Sequence, residues 1–182
     1  MRIGFKHLGF VLLVLFGLLM SSRSAAAQSA GKVEVSGGYN FLRVQEEEFG
    51  DEKNFPAGWY ADVSGGLTDN LALVGQVSGN YKTIEDVDLK LHTFAGGVRL
   101  SSRANRNAVP FVQVLGGAVV SSFSGFGESD SENDGILQVG GGVNLMTGGG
   151  VGLRLGVDYI RAFTEDEGTN VIRFGVGIVF GR

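Results

Sequence analysis

The chain has no cysteine, and only two prolines, Pro56 and Pro110, in 182 residues. Without cysteine no disulfide and no cysteine-linked lipid can form, so an exported form must be held together by other means. Long apolar runs are scarce too. Leu8 to Met20 is a thirteen-residue stretch, short of the roughly 20 residues a membrane-spanning helix needs. Helix-favouring stretches are missing after residue 30, where glycine recurs at a density that costs helix stability. No repeat of fixed period is present. Positive charge is also low. Removing Arg2, Lys6 and Arg23 from the fifteen basic residues leaves twelve against nineteen acids, a net charge of −7 for the chain beyond residue 27. Such a balance argues against a nucleic-acid partner, because phosphate backbones require a basic surface.

What is present at the N-terminus reads as a leader. Arg2 and Lys6 precede the apolar stretch, and Ala25-Ala26-Ala27 offers a small-residue cleavage site. This is the pattern of a secretory signal peptide over residues 1–27, with one domain over residues 28–182.

Fifteen of the nineteen acidic residues fall in four segments, 44–55, 84–88, 121–134 and 164–170. Between them the chain alternates, and the alternation predicts eight strands with two unlike faces. The expected strands are about 32–43, 57–67, 71–83, 89–100, 109–121, 135–146, 150–163 and 171–180. They come in pairs joined by turns nearly free of acid, at 68–70, 101–108 and 147–150, so every second connection is acidic. A chain crossing a membrane up and down produces that rhythm.

One face of each strand is apolar, as in Val33, Val35 and Gly37 or Leu153, Leu155 and Val157. The other carries small residues and the polar set Glu34, Asp62, Gln76, Arg99, Gln113, Gln138, Arg154, Asp158 and Arg173. Strand 4 is ambiguous. Placing Phe94, Val98 and Leu100 outward puts Lys90 and His92 on the same face, either at its rim or past a bulge. Tyr39, Phe41, Trp59, Tyr81, Tyr159 and Phe174 all fall on the apolar face beside an acidic connection, the arrangement of an aromatic girdle. Leu67, Leu71, Leu100 and Phe180 mark the other end. A soluble barrel is apolar inside, whereas this pattern is hydrophilic inside. The expected fold is all-β: an eight-stranded antiparallel up-and-down transmembrane β-barrel with a polar, glycine-rich interior and a lipid-facing apolar exterior.

Segments 33–41, 59–77, 93–99, 110–117 and 171–180 together resemble the small eight-stranded outer-membrane barrels. That group includes the transmembrane domain of outer membrane protein A and the OmpX-like and OmpW-like barrels. The resemblance spans residues 31–182. It implies residence in the outer membrane of a Gram-negative-type bacterium and contact with outer-membrane lipid. It also implies help from periplasmic chaperones and the barrel-insertion machinery. Termini and short turns would lie in the periplasm and the acidic segments outside. Family members end on an aromatic insertion signal; here Phe180 is followed by Gly181-Arg182.

Chemistry-bearing patterns are sparse. His92 is the one histidine beyond the leader, and it is followed by Thr93 and Phe94 without the second-neighbour serine of lipid-modifying barrel enzymes. Asp130, Glu132 and Asp134, with Gly135 at the sixth position, resemble the start of a calcium loop. Its twelfth position is Gly141, where a bidentate Glu is required, so a solvated acidic loop is the preferred reading. The glycine runs open no helix and are read as strand and turn residues, not as a phosphate loop. No catalytic residue, resident metal or cofactor is expected. The inward charges read as a plug, with Asp158 and Arg173 within diagonal reach of each other. The expected role is that of a non-enzymatic envelope or surface-interaction protein acting through acidic external segments. The alternatives are a narrow channel for small ions or apolar molecules, and a lipid-modifying enzyme. Mass spectrometry of the exported protein should find an N-terminus at Gln28, and recovery of an uncleaved chain from the envelope would contradict the leader assignment.

Overall fold

The structure is a computed structural model, and it describes residues 32–44, 54–84, 87–125, 128–147, 149–163 and 168–181. Eight strands follow one another: β1 (Val33–Val44), β2 (Phe55–Gly66), β3 (Leu71–Ile84), β4 (Val87–Ser101), β5 (Ala108–Gly125), β6 (Glu128–Met146), β7 (Val151–Phe163) and β8 (Thr169–Gly181). Each pairs antiparallel with its sequence neighbours, and β1 pairs with β8 from Glu34↔Gly181 to Val44↔Val171, closing the barrel. Closure leaves the spanning wall without an unpaired edge, which a hydrocarbon environment requires.

Alternation decides which side chains go where. Along β7, Val151, Leu153, Leu155, Val157 and Tyr159 are exposed, while Arg154, Asp158 and Ile160 are buried. The same division runs round the whole wall. Among the described residues twenty-seven large apolar or aromatic side chains are exposed, while sixteen polar or charged residues are buried against nine apolar ones. A water-soluble core cannot be built on those terms, because exposed apolar area on this scale seeks hydrocarbon. The buried apolar residues include Phe111, Leu115 and Val179, on the inward faces assigned by the alternation.

Three short turns join the strands at one end. At 67–70 the Thr68 hydroxyl accepts from the amides of Asn70 and Leu71. In the turn before β5 the Asn105 side-chain oxygen accepts from the amide of Asn107 at 2.9 Å. The β6–β7 turn contains Gly149 and Gly150 at φ 67° and 85°, a conformation that excludes most side chains.

Several expectations about boundaries change. β4 keeps an unbroken register with β3 from Leu71↔Leu100 to Ile84↔Val87, so no bulge lies there, and Lys90 and His92 share the outward side with Phe94. The register shift occurs instead in β1, between Asn40 and Leu42. Segment 121–134 was expected as a loop but is largely strand. β5 and β6 stay paired out to Gly125↔Glu128, whereas β6 and β7 part at Gly135↔Phe163. The physical cause is β4, which begins at Val87 and pairs with β5 out to Asp88↔Ser124, giving β5 a ladder to continue on. Acid density marked this stretch as solvated, but solvation does not prevent backbone pairing.

Some inward glycines let adjacent strands of the wall approach closely. A Cβ at Gly97 would lie 2.1 Å from the Val114 backbone oxygen, whereas one at Gly65 would meet nothing within 4 Å. Gly97→Ala should therefore destabilise the barrel by about 1–3 kcal/mol, the usual range for overpacking. Gly65→Ala should leave the urea midpoint in detergent unchanged, and equal midpoints for both variants would refute this packing account.

Candidate functional site

The lumen is filled by one connected set of polar side chains to which all eight strands contribute. Its centre is Asp62 on β2. The Asp62 carboxylate accepts from the Ser36 hydroxyl at 2.7 Å, from Arg99 Nη1 at 3.2 Å and from Arg154 Nη1 at 2.7 and 2.9 Å. Arg154 also donates through Nε to Asn144 Oδ1 at 2.8 Å and lies 3.5 Å from Glu34 Oε2. Arg99 donates through Nε and Nη2 to Gln113 Oε1, and Gln113 Nε2 donates to Asp158 Oδ1 at 2.9 Å. Asp158 accepts from Arg173 at 2.8 Å; Arg173 Nη2 donates onward to Gln76 Oε1 at 2.6 Å, as does Gln138 Nε2 at 3.1 Å.

This set contains every member of the inward polar set derived from alternation. Three carboxylates and three guanidiniums balance within it, each nine-tenths or more buried. Buried charges require partners with good geometry, and these have them. Asp158 and Arg173 face each other directly in the β7–β8 register, closer than the diagonal relation expected from sequence. The Phe111 ring lies beneath two of the cations, with Arg99 Cζ at 4.8 Å and Arg154 Cζ at 5.0 Å from its centroid. Within the network remains a cavity of about 20 Å3 bordered by Asp62, Arg99, Arg154 and Asp158, room for about one water.

Alternation places Ser36, Asn40, Asn80 and Asn144 on the inward faces, where the structure buries them, although they were not singled out with the polar set. Asn80 donates to Asn40, which donates to the Trp59 carbonyl at 2.9 Å. Arg103 had no such signal. It sits in a turn, yet its Nη2 reaches Glu34 Oε1 at 2.8 Å and its Nε donates to the Asp69 carbonyl at 2.9 Å.

On the outer wall, Tyr39, Trp59, Tyr81, Tyr159 and Phe174 are exposed and Phe41 is half-buried. Trp59 Nε1 donates to the Tyr81 hydroxyl at 3.1 Å, and the Tyr159 hydroxyl donates to Asn170 Oδ1 at 2.7 Å. His92 is half-buried on this wall, with Nε2 3.4 Å from the Tyr81 hydroxyl. That contact gives the imidazole an aromatic neighbour and no nucleophile. Phe180 is exposed near the end of β8, opposite Val35. Asp130, Glu132 and Asp134 lie on β6, whose extended backbone does not form the curled loop that calcium needs. Among the described residues no cluster of three or more His, Asp or Glu could hold a metal ion.

Because Asp62 serves two guanidiniums, Asp62→Asn strands buried positive charge. Its expected cost is about 3–5 kcal/mol. Replacing Asp158 and Arg173 together by leucine removes both partners of a pair and should cost less than Asp158→Leu alone. Urea unfolding in detergent measures both, and a double variant as unstable as the single would contradict charge pairing as the organising contact.

No curated protein matches the chain. Several solved structures do. The attachment invasion locus protein Ail of Yersinia pestis, crystallised in complex with the heparin analogue sucrose octasulfate, aligns at 20% identity with a TM-score of 0.62, covering 85% of this chain and 100% of that one. Neisserial surface protein A aligns at 13% identity and a TM-score of 0.63, covering 84% of this chain and 97% of that one. The N-terminal β-barrel domain of Pseudomonas aeruginosa OprF aligns at 12% identity and a TM-score of 0.56, covering 84% and 100%. These likenesses establish a common fold, and the matching family model covers residues 11–180. The chain belongs to the outer membrane protein beta-barrel domain family.

Proposed function

We propose that this protein is a non-conducting, non-enzymatic barrel that acts at the cell surface through its acidic connections. The observation carrying this reading is the network around Asp62, which puts three ion-paired arginines across the lumen and leaves space for about one water. A hydrated ion has no continuous path through such packing. Export would follow cleavage of residues 1–27, and assembly would use periplasmic chaperones and the insertion machinery, with Phe180 as the aromatic signal.

The acid-rich end sets the kind of partner. Fifteen of nineteen acids lie in the four segments 44–55, 84–88, 121–134 and 164–170, a field that favours basic partners and repels sulfated polysaccharide. In this respect the chain would differ from Ail, whose structure contains a sulfated sugar analogue. On the outer wall, His92 against Tyr81 lacks the serine that lipid-modifying catalysis would use.

Planar-bilayer recording tests the sealed lumen. Purified protein should add no discrete conductance steps over the lipid baseline, whereas a variant lacking both Asp62 and Arg154 side-chain charges should admit small ions. Stable unitary steps from the unaltered protein would overturn the proposal in favour of a channel.

A further inference from the structure

The outward face of the wall is apolar from the short turns to the aromatic girdle, and no carboxylate among the described residues falls on it over that span. Charge enters at the girdle, and there it is positive. Arg43 on β1 and Arg161 on β7 are exposed on the outward side, flanking β8, and Lys90 is exposed on β4 across the barrel.

The register fixes how the two arginines stand. Ile172 on β8 pairs with Arg43 of β1 on one side and with Tyr159 of β7 on the other, so Arg43 shares a row with a girdle residue. Arg161 pairs with Asn170, the next outward position along β8. On the apolar side of Arg43, Phe41 and Phe174 pair across β1 and β8. Asn170 is oriented by the Tyr159 hydroxyl, which donates to its Oδ1 at 2.7 Å and leaves the amide nitrogen to donate. Among the described residues neither Arg43 nor Arg161 is in an ion pair.

An aromatic girdle marks the level at which hydrocarbon gives way to headgroups. A guanidinium at that level on a lipid-facing wall is beside headgroup phosphate, whose oxygens its planar fork can take in pairs. The acids of segments 44–55 and 164–170 follow the two arginines in the chain. They oppose anions in the water beyond, so an extended polyanion is a poor partner. A lipid presents a single phosphate at girdle level and lays its acyl chains against the wall that includes Phe41 and Phe174. The apolar wall already requires lipid; the arginines add a choice of headgroup. We propose that the β1–β8–β7 sector of the outer wall binds the phosphate of an anionic membrane lipid, with Arg43 and Arg161 as its cations.

Native mass spectrometry of the folded protein, released from detergent and titrated with lipids of matched acyl chains, reads this selection. Phosphatidylglycerol carries a net negative charge, whereas the choline of phosphatidylcholine neutralises its phosphate. Wild type should hold the first phosphatidylglycerol about five- to tenfold more tightly than phosphatidylcholine, the scale of a cation or two beside an anionic headgroup. The exposed double variant R43Q/R161Q should bring the two affinities within about twofold of each other. Lys90→Gln removes an exposed cation from β4, opposite β8 in the eight-strand ring, and should keep the wild-type preference. Equal affinity of wild type for both lipids would overturn the proposal. So would an undiminished preference in R43Q/R161Q, or a loss in Lys90→Gln as large as in the double variant, which would reduce the effect to overall charge. Lipid retention on the outer wall is measured without reference to conductance, so the result is independent of the sealed lumen.

Discussion

The contact between Arg154 and the Asp62 carboxylate, 2.7 Å across the centre of the barrel, is the interaction on which the rest of the structure depends. An eight-stranded wall that shows hydrocarbon its apolar face must put its polar face into a space just wide enough for side chains. Water cannot fill that space, so each charge has to find its partner within the protein. Asp62 solves the problem for two arginines together. The remaining carboxylates, Glu34 and Asp158, serve the outer members of the same chain of contacts. Closure by β1 and β8 is a precondition, because Glu34 and Ser36 come from the first strand and Arg173 from the last.

The glycines belong to the same solution. Long guanidinium and carboxylate side chains need neighbours that take up no room. Gly140 lies beneath Asp158, where a Cβ would come within 1.9 Å of Oδ1, and Gly177 lies beneath the Tyr60 hydroxyl, where a Cβ would come within 2.6 Å. High glycine content and buried charge, which look unrelated in the composition, are two aspects of one packing requirement. The outer wall uses glycine once in the same way: Gly79 lies under the Trp59 and Tyr81 side chains, which close over it.

Most of this was legible in the sequence, because the side-chain period of a strand is two and a single charged residue fixes the phase. Arg99 oriented β4 correctly even though Lys90 and His92 lay on the opposite face, since a guanidinium facing the middle of a bilayer costs far more than a lysine at its edge. Of the partners, the sequence offered Asp158 with Arg173 and no others. That these two meet directly, and that Gln113 links Arg99 to Asp158, depends on register, which alternation leaves free by any even shift. Segment 121–134 was misjudged for a different reason. Its acids report solvent, whereas its backbone follows β4 and β5 in pairing beyond the level at which β6 and β7 part. Arg103 was missed because turn residues have no periodicity from which direction can be inferred.

The network lies across the middle of the lumen, and Glu34 carries it toward the short-turn end. At that end Lys32, Arg103 and Arg106 lie near one another around the short turns. Glu34 joins that end to the network, paired with Arg103 at 2.8 Å on one side and 3.5 Å from Arg154 on the other. Removing its carboxylate would leave Arg103 without its ion pair and Arg154 dependent on Asp62 alone. Charge at the short-turn end is therefore tied to stability at the core through the Glu34 carboxylate.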